Sequence, residues 1–242
     1  MKGFILAAGM GTRLKPWTDF HPKAMVPVGG IPMIERVVNK MQLAGITDIT
    51  VNVYHFAQQI IDFVKDKGWN INISDERPTL LETGGALLHA AKFLNGDEPI
   101  LIHNADILSN ADFIAMKDAH IQQGNDITLL VSDRDSSRKL VFDTEGELKG
   151  WHSRSGGEFK PRSFIMQPDY SELAFSGIYI ISPGIFTKIR NEGFSGKFSI
   201  IDFFLESIGK LKIKAFQMPD LYISDIGKPE SLARAEKDFN IS

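Results

Sequence analysis

The chain has 242 residues, 43% of them hydrophobic, a formal net charge of −3 and no cysteine. That length and apolar content suffice for one large α/β core. The charge excludes a surface field built for nucleic acid or an anionic membrane, and the missing thiols exclude a disulfide framework and a thiolate metal site. No apolar run approaches membrane-spanning length. Met1-Lys2-Gly3-Phe4 enters a strand without a signal-peptide cleavage pattern, so a cytoplasmic location is expected.

The first element is a buried strand starting at Phe4 that breaks at Ala7-Ala8 into Gly9-Met-Gly11-Thr12-Arg13, with Lys23 ten residues on. Glycines at 9 and 11 remove the Cβ atoms that would keep a ligand from the backbone. Successive N–H groups of such a loop can line an anion-binding concavity. Arg13 offers a planar fork for phosphate oxygens and Lys23 a compact point charge. The loop reads as a triphosphate cradle. It is neither a dinucleotide fingerprint, because Leu14 stands where the third glycine belongs, nor a Walker A loop, because no Gly-Lys-Ser/Thr closes it.

Strands and helices then alternate. Ile34, Val37, Val38 and Met41 mark a helix ending near Gly45; residues 46–53 form a strand; Ile60, Ile61 and Val64 line a second helix stopped by Gly68. Ile71 to Ile73 is a short strand, residues 83–94 a third helix capped by Thr83, and residues 99–103 the next strand. This rhythm implies a parallel sheet covered on both faces, with ligands at the carboxyl ends of its strands. Beyond it, residues 126–131 read as a strand and residues 138–151 as a hairpin. Residues 153–171 read as a polar loop or flap. Leu173 to Ile181 is a strand interrupted by Gly177, which marks close ligand or backbone approach. Residues 198–208 are helical, 213–216 and 221–223 short strands, and Pro229 to Phe239 a closing amphipathic helix with Leu232, Ala235 and Phe239 facing in.

Two aspartates, Asp106 and Asp225, end apolar strands. Magnesium takes a few carboxylate oxygens and completes its shell with phosphate and water, so such a pair suits Mg²⁺; a helix cap or turn is the competing reading. Asp75, Asp133 and Asp135 lack comparable context and read as solvated. His55, His89 and His120 read as surface or satisfied histidines. His103, beside Asp106, is a further candidate for substrate contact.

The strings Ile5-Leu-Ala-Ala-Gly-Met-Gly-Thr-Arg-Leu14, Pro22-Lys23 and Pro27-Val28 followed by Pro32-Met33 resemble the signature of the sugar-1-phosphate nucleotidyltransferases. Glu82-Thr83-Gly84-Gly85, Phe175-Ser176-Gly177-Ile178, Gly196-Lys197-Phe198-Ser199 and the stretch from Asp225 to Glu236 look most like the bacterial N-acetylmuramate-1-phosphate uridylyltransferases, so the resemblance covers nearly the whole chain. It implies a Rossmann-like α/β fold with a mixed, mainly parallel sheet and helices on both faces. It also implies one domain over 1–242, its nucleotide-binding half about 1–125 and its sugar-binding half about 126–242.

The implied reaction joins a nucleoside triphosphate, UTP by this resemblance, to a sugar 1-phosphate, N-acetylmuramate 1-phosphate first, in a cell-wall recycling context. The implied catalytic residues are Arg13 on the leaving pyrophosphate, Lys23 on the α-phosphate and Asp106, which holds Mg²⁺ with Asp225. Ala7, Ala8, Gly9, Gly11, Thr12, Glu82, Gly84 and Gly85 would hold the nucleotide, with Glu82 as acceptor and the two glycine N–H groups as donors to the base. Asn104, Ser176, Gly177, Lys197 and Ser199 would hold the sugar, and the protein would act as a monomer or small homo-oligomer.

Two departures stand out. Asn104-Ala105-Asp106 replaces the usual Asn-Gly-Asp, and the Glu-Lys-Pro of many hexose-1-phosphate enzymes is missing, leaving Arg154, Lys160, Arg162 and Lys197 as candidates for the anionic groups of the sugar substrate. The alternatives are a GTP-dependent mannose- or heptose-1-phosphate guanylyltransferase, a CTP:phosphocholine cytidylyltransferase and a non-catalytic nucleotide-sugar-binding regulator.

Overall fold

The computed structural model describes residues 1–227 and 229–240. β1 (Lys2–Leu6) sends Phe4 to one face of the sheet and Ile5 to the other. Three single 3-10 turns (Thr12–Leu14, Trp17–Asp19, Lys23–Met25) and the tiny hairpin of β2 (Pro27–Val28) and β3 (Ile31–Pro32) carry the chain to α1 (Met33–Leu43). There Ile34, Val37, Val38 and Met41 are buried at the expected 3.6-residue spacing. The alternation continues through β4 (Ile49–Val53), α2 (Ala57–Asp66), β5 (Ile71–Asp75), α3 (Glu82–His89), α4 (Ala91–Leu94), β6 (Ile100–Asn104), β7 (Ile107–Ser109), α5 (Phe113–Gln123) and β8 (Ile127–Ser132). The second half supplies β9 (Arg138–Phe142), β10 (Leu148–Ser153), β11 (Glu158–Lys160), β12 (Ser171–Ile181), α6 (Ile185–Asn191), α7 (Ile200–Glu206), β13 (Ile213–Phe216), β14 (Ile223–Asp225) and α8 (Pro229–Asn240).

The main sheet has ten strands in the order β11-β10-β9-β12-β6-β1-β4-β5, with β8 pairing β12 and β13. β6, β1, β4 and β5 run parallel, as do β8 and β13; β12 runs antiparallel to β6, β8 and β9. The chain moves outward from β1 through β4 to β5, then returns to lay β6 on the other side of β1. That reversal opens a crevice at the carboxyl ends of β1 and β6. Apolar clusters fill both faces: Leu87, Tyr179, Phe203 and Phe204 on one, Val38, Val51, Ile60 and Leu101 on the other. A third cluster of Leu14, Val26, Met33, Ile226 and Ala235 fastens α8 beneath the glycine loop. The inward-facing Phe239 expected of that helix lies outside the described side chains. No helix among the described residues is long and apolar enough to cross a membrane.

Several expectations need correcting. The stretch 153–171 is not a plain loop: β11 pairs with β10, and Phe159 stacks on His152 at 4.0 Å and against Phe164 at 5.4 Å. Its glycines mark the tight turn of a hairpin (Gly157 has φ +64°), which polarity alone disguises. The helix expected over 83–94 breaks at Ala90 into α3 and α4. The strand expected over 46–53 begins only at Ile49, because Ile46 donates its N–H back to Met41 O at 2.9 Å and closes α1. α5 escapes the reading of apolar spacing because Ile114 and Ile121 are exposed while Phe113 and Met116 are buried, which blurs its stripe. Its cap is clear, with Asp112 accepting from Ile114 and Ala115 N–H.

Gly84 and Gly85 serve packing. Both N–H groups donate to Phe198 O, at 3.0 and 3.2 Å. A Cβ on Gly84 would overlap the Phe198 ring, and one on Gly85 the carbonyl of Gly196. Gly85→Ala should therefore destabilise the fold by about 1–3 kcal/mol through overpacking against rigid backbone. A thermal melt should fall by several degrees, at roughly 2–4 °C per kcal/mol for a chain of this size; an unchanged melting temperature would show that the contact of α3 with the loop at Gly196 yields freely.

Candidate active site

β1 ends at Leu6, and the chain turns over the side chain of Asn52 at the end of β4. Asn52 Oδ1 accepts from Ala7 N–H at 2.6 Å and Ala8 N–H at 3.3 Å, while its amide donates to Glu76 Oε1 at 2.6 Å. Glu76 Oε2 accepts from Leu81 N–H at 2.9 Å. Glu76 is 4% exposed. Burial pushes its carboxyl above the ordinary range, against the pull of these two hydrogen bonds. A buried polar chain thus joins the start of the glycine loop to the start of α3 beneath a cavity of about 230 Å³, whose walls include Ala7, Gly9, Lys23, Glu82, Asn104 and Asp106. Asn52 and Glu76 were not singled out from sequence; the only signal was a polar residue at the end of each of two apolar strands.

The two loop glycines do different work. A Cβ on Gly9 would meet nothing within 4 Å, so this backbone faces open space. Gly11 has φ +63°, and a Cβ there would lie 2.7 Å from Thr18 Cγ2 and 2.9 Å from Lys23 Cβ. It lets the loop close onto the base of Lys23. The N–H groups of Ala7 and Ala8 are occupied by Asn52 rather than left for a ligand, and Thr12 lies exposed in the first 3-10 turn. Gly84 and Gly85 likewise spend their N–H groups on Phe198, so they are not donors to a base. Thr83 does not cap the helix. α3 starts at Glu82, and Thr83 Oγ1 accepts from Ile200 N–H at 3.0 Å instead. Glu82 lies at the cavity rim with φ +61°, a left-handed conformation uncommon outside glycine, which fixes its carboxylate there at a local cost.

Asp106 follows β6, and Asp225 ends β14. Antiparallel pairing of β14 with β7 sets Asp225 opposite Ile107, and Ile226 N–H donates to Asp106 O at 3.0 Å. Lys23 donates to the Asp106 carboxylate, both half-buried. Arg13 Nη2 stands 3.9 Å from Asp225 Oδ2. An exposed pair at that distance contributes little to stability and leaves the guanidinium donors open to an anion. Gly227 makes the convergence possible. A Cβ there would sit 2.9 Å from Arg13 Nη2 and 2.8 Å from Asp225 Oδ1, and would overlap Lys23 Nζ. Its N–H also orients Asp225, donating to Oδ1 at 2.9 Å. Gly227 was missed as a site residue, although the Asp-x-Gly spacing was visible. Among the described residues no group of three or more His, Cys, Asp or Glu side chains gathers as a metal site.

A second, larger cavity of about 650 Å³ lies under the hairpin strands and α7, with Arg138, Lys139, Trp151, Lys160, Phe175 and Ser199 among its walls. Of the residues expected on the sugar, Asn104 lines the smaller cavity and Ser199 the larger, where Ser199 caps α7 by accepting from Ile201 N–H at 3.3 Å. Ser176 is 2% exposed, donates to Leu130 O at 2.7 Å and accepts from Ile178 N–H at 3.2 Å. It shapes the irregularity of β12 and presents no hydroxyl to a ligand. Gly177 (φ +77°) gives way to the Asn104 side chain, which a Cβ there would overlap. Lys197 lies 3.6 Å from Glu82, at the rim of the smaller cavity.

Other residues resolve plainly. His103 is 1% exposed, donates to Asn104 O and stands edge-on to Phe113; burial pushes it down to about 4, so it is a neutral core residue and not a substrate contact. His120 is buried too, bonded to the Thr128 and Ser182 hydroxyls. Asp75 is not simply solvated: it accepts from Arg77, which holds its carboxyl below the usual range.

Comparison with known proteins gives the family. The sequence model of the nucleotidyl transferase family, described as "Nucleotidyl transferase", matches residues 2–241. The N-acetylmuramate alpha-1-phosphate uridylyltransferase of Caulobacter vibrioides is 28% identical over 242 residues, covering 96% of this chain and 94% of that protein. The mannose-1-phosphate guanyltransferase of Pichia angusta is 28% identical over 237 residues; 95% of this chain is covered, and the chain spans 62% of that longer protein. Among solved structures, HddC from Yersinia pseudotuberculosis complexed with GMP-PN superposes with a TM-score of 0.75 at 26% identity, over 98% of this chain and 99% of that one. The chain belongs to the nucleotidyl transferase family, with the mixed α/β architecture of the nucleotide-diphospho-sugar transferases.

Proposed function

We propose that this protein joins a nucleoside triphosphate to a sugar 1-phosphate, releasing pyrophosphate, with UTP and N-acetylmuramate 1-phosphate as the favoured pair. The observation that carries the reaction class is the convergence of Arg13, Lys23, Asp106 and Asp225 around Gly227 at the mouth of the glycine-loop cavity. The nucleophile is a phosphate oxygen of the sugar 1-phosphate, ionised at neutral pH, so no general base is required. That oxygen forms a bond to the α-phosphorus as the bond to the bridging β-phosphate oxygen breaks, and the electron pair leaves with pyrophosphate. Catalysis is then in-line placement and charge neutralisation. The exposed fork of Arg13 takes the leaving pyrophosphate. Lys23, paired with Asp106 in the free protein, takes the α-phosphate.

The two carboxylates offer only hard oxygen donors, tied together by the Ile226–Asp106 hydrogen bond, and this fits Mg²⁺, which binds one or two carboxylates and completes its shell with phosphate and water. When bound there, the ion would neutralise charge on the triphosphate.

The Caulobacter relative, matching along 94% of its own length, supports the uridylyl reading. A second reading has its own support. With Gly84 and Gly85 closed to the base, the Glu82 carboxylate at the rim offers the cavity an acceptor, which suits the N–H donors of guanine. A matrix of UTP, GTP, CTP and dTTP against N-acetylmuramate, N-acetylglucosamine, glucose, mannose and heptose 1-phosphates, read by pyrophosphate release, separates them. The highest kcat/KM is expected with UTP and N-acetylmuramate 1-phosphate; a preference of more than about tenfold, roughly 1.4 kcal/mol, for GTP or an unacetylated hexose would transfer the assignment to that substrate pair.

Asp106→Asn should lower turnover by roughly 10²–10³, the usual worth of one electrostatic group in such a site, with its melting temperature retained. Residual activity above about a tenth of wild type at saturating magnesium would remove Asp106 from the chemistry. Arg13→Ala should raise the KM for triphosphate and lower kcat, and Arg13→Lys should recover little, because an ammonium cannot reproduce the two-pronged contact. Full recovery with lysine would mean that charge alone matters at this position.

A further inference from the structure

We propose that Arg134 is the residue that takes the phosphate of the sugar 1-phosphate. The proposal rests on the reading of the chain as a sugar-1-phosphate nucleotidyltransferase. In-line displacement requires the entering phosphate to lie across the α-phosphorus from the pyrophosphate, so it must be met from the side opposite Arg13. The sheet order supplies that side. β1, which leads to Arg13, and β12 flank β6, which leads to Asp106; β8 lies beyond β12 and runs parallel to β6. Arg134 sits two residues past the carboxyl end of β8, at the same edge of the sheet as Asp106 but on the far side from the glycine loop.

Several other cations on that side have partners, while Arg138, also a wall of the larger cavity, is exposed. Arg154 pairs with Asp135 at 3.1 Å, Lys160 lies over the Trp151 ring at 5.3 Å, and Lys197 faces Glu82. Lys139, 4% exposed, donates to the backbone carbonyls of Asp133 and Arg134 at 3.2 and 2.5 Å, which fixes the turn that carries Arg134. Arg134 differs from all of these. Its Nη2 donates to Phe175 O at 2.9 Å, and Phe175 is a wall of the larger cavity. Its Nε is buried and has no partner among the described residues. A guanidinium has five donors, and an unpaired buried donor is costly. Burial lowers the pKa of Arg134 while Asp225 raises it, so its charge lies within electrostatic reach of Asp225. A guanidinium with an open donor, bonded to a wall of the sugar-sized cavity and within electrostatic reach of Asp225, is matched to a phosphate, which accepts two parallel hydrogen bonds.

The test compares wild type, Arg134→Gln and Arg134→Lys. Binding of N-acetylmuramate 1-phosphate and glucose 1-phosphate, each beside its unphosphorylated sugar, is measured by calorimetry, and KM values for both substrates come from pyrophosphate release. Arg134→Gln should weaken binding of either sugar phosphate by about 30-fold, the worth of a charge-assisted contact, while leaving the free sugars and the KM for triphosphate within about twofold. Arg134→Lys should lose about fivefold, since it keeps the charge without the fork. Sugar-phosphate constants that stay at wild type, or that move together with those for triphosphate, overturn the assignment and leave Arg134 a brace for Phe175. If Arg134→Gln fails to fold, Arg134→Lys decides: an unchanged sugar-phosphate constant overturns the proposal. Failure of the broader reading looks different. The wild type would then bind a sugar phosphate yet release no pyrophosphate with any nucleotide, and the binding constants would still judge Arg134. A wild type that binds sugar phosphates no better than free sugars overturns the Arg134 assignment.

Discussion

The site depends on holding four charged side chains from distant parts of the chain within a few ångströms of one another without a bound ligand. Lys23 meets Asp106, and Arg13 approaches Asp225, so each carboxylate has a counter-charge in the free protein. A carboxylate left unpaired at this half-buried depth would lose solvation without compensation. The two pairs differ in exposure: Lys23 and Asp106 have side-chain exposures of 14% and 20%, Arg13 and Asp225 of 53% and 36%. Under the proposed mechanism this asymmetry fits the division of labour. The inner pair surrounds the reacting phosphorus, and the outer guanidinium handles the group that must leave.

This crowding is possible because of what is absent. Gly227 leaves the space in which Arg13, Lys23 and Asp225 meet, and Gly11 lets the loop close against Lys23. The glycines of the site therefore divide by purpose. Gly9 alone keeps backbone open toward the cavity, while Gly11, Gly84, Gly85, Gly177 and Gly227 make room for parts of the protein itself. Beneath them, Asn52 and Glu76 use buried amide and carboxylate groups to tie β1, β4 and α3 into one floor. Fully bonded polar networks of this kind rigidify, which is what preorganised phosphate chemistry needs.

On the far side of β6 the second half of the chain builds a different environment. β12 enters antiparallel and bends at Ser176-Gly177, and the hairpin strands roof the larger cavity over α7. The bend brings Gly177 against Asn104, so the strand carrying Phe175 and the strand leading to Asp106 share a boundary. In the proposed reaction, the two substrates approach each other across that boundary.

The sequence by itself determined many of the local elements and the family resemblance. Period-3.6 patterns marked α1 and α2, because each helix buries one face, and period-2 alternation marked β4, whose apolar side chains share one face of the sheet while Thr50 and Asn52 point to the other. The glycine loop with its arginine and lysine, and aspartates after apolar runs, pointed to the proposed chemistry because each motif is short and local. Only the tertiary structure decided which donors remain available. The N–H groups of Ala7, Ala8, Gly84 and Gly85 had been read as ligand-facing, yet Asn52 and the Phe198 carbonyl, 45 and more than a hundred residues away, take them. Ser176 is consumed by Leu130 and His103 by the core, while Gly227 and Arg134 gain their importance from neighbours remote in sequence. The physical reason is common to all of them. A residue's type fixes which hydrogen bonds and charges it can offer, but whether they are already spent depends on contacts that only packing of the whole sheet creates.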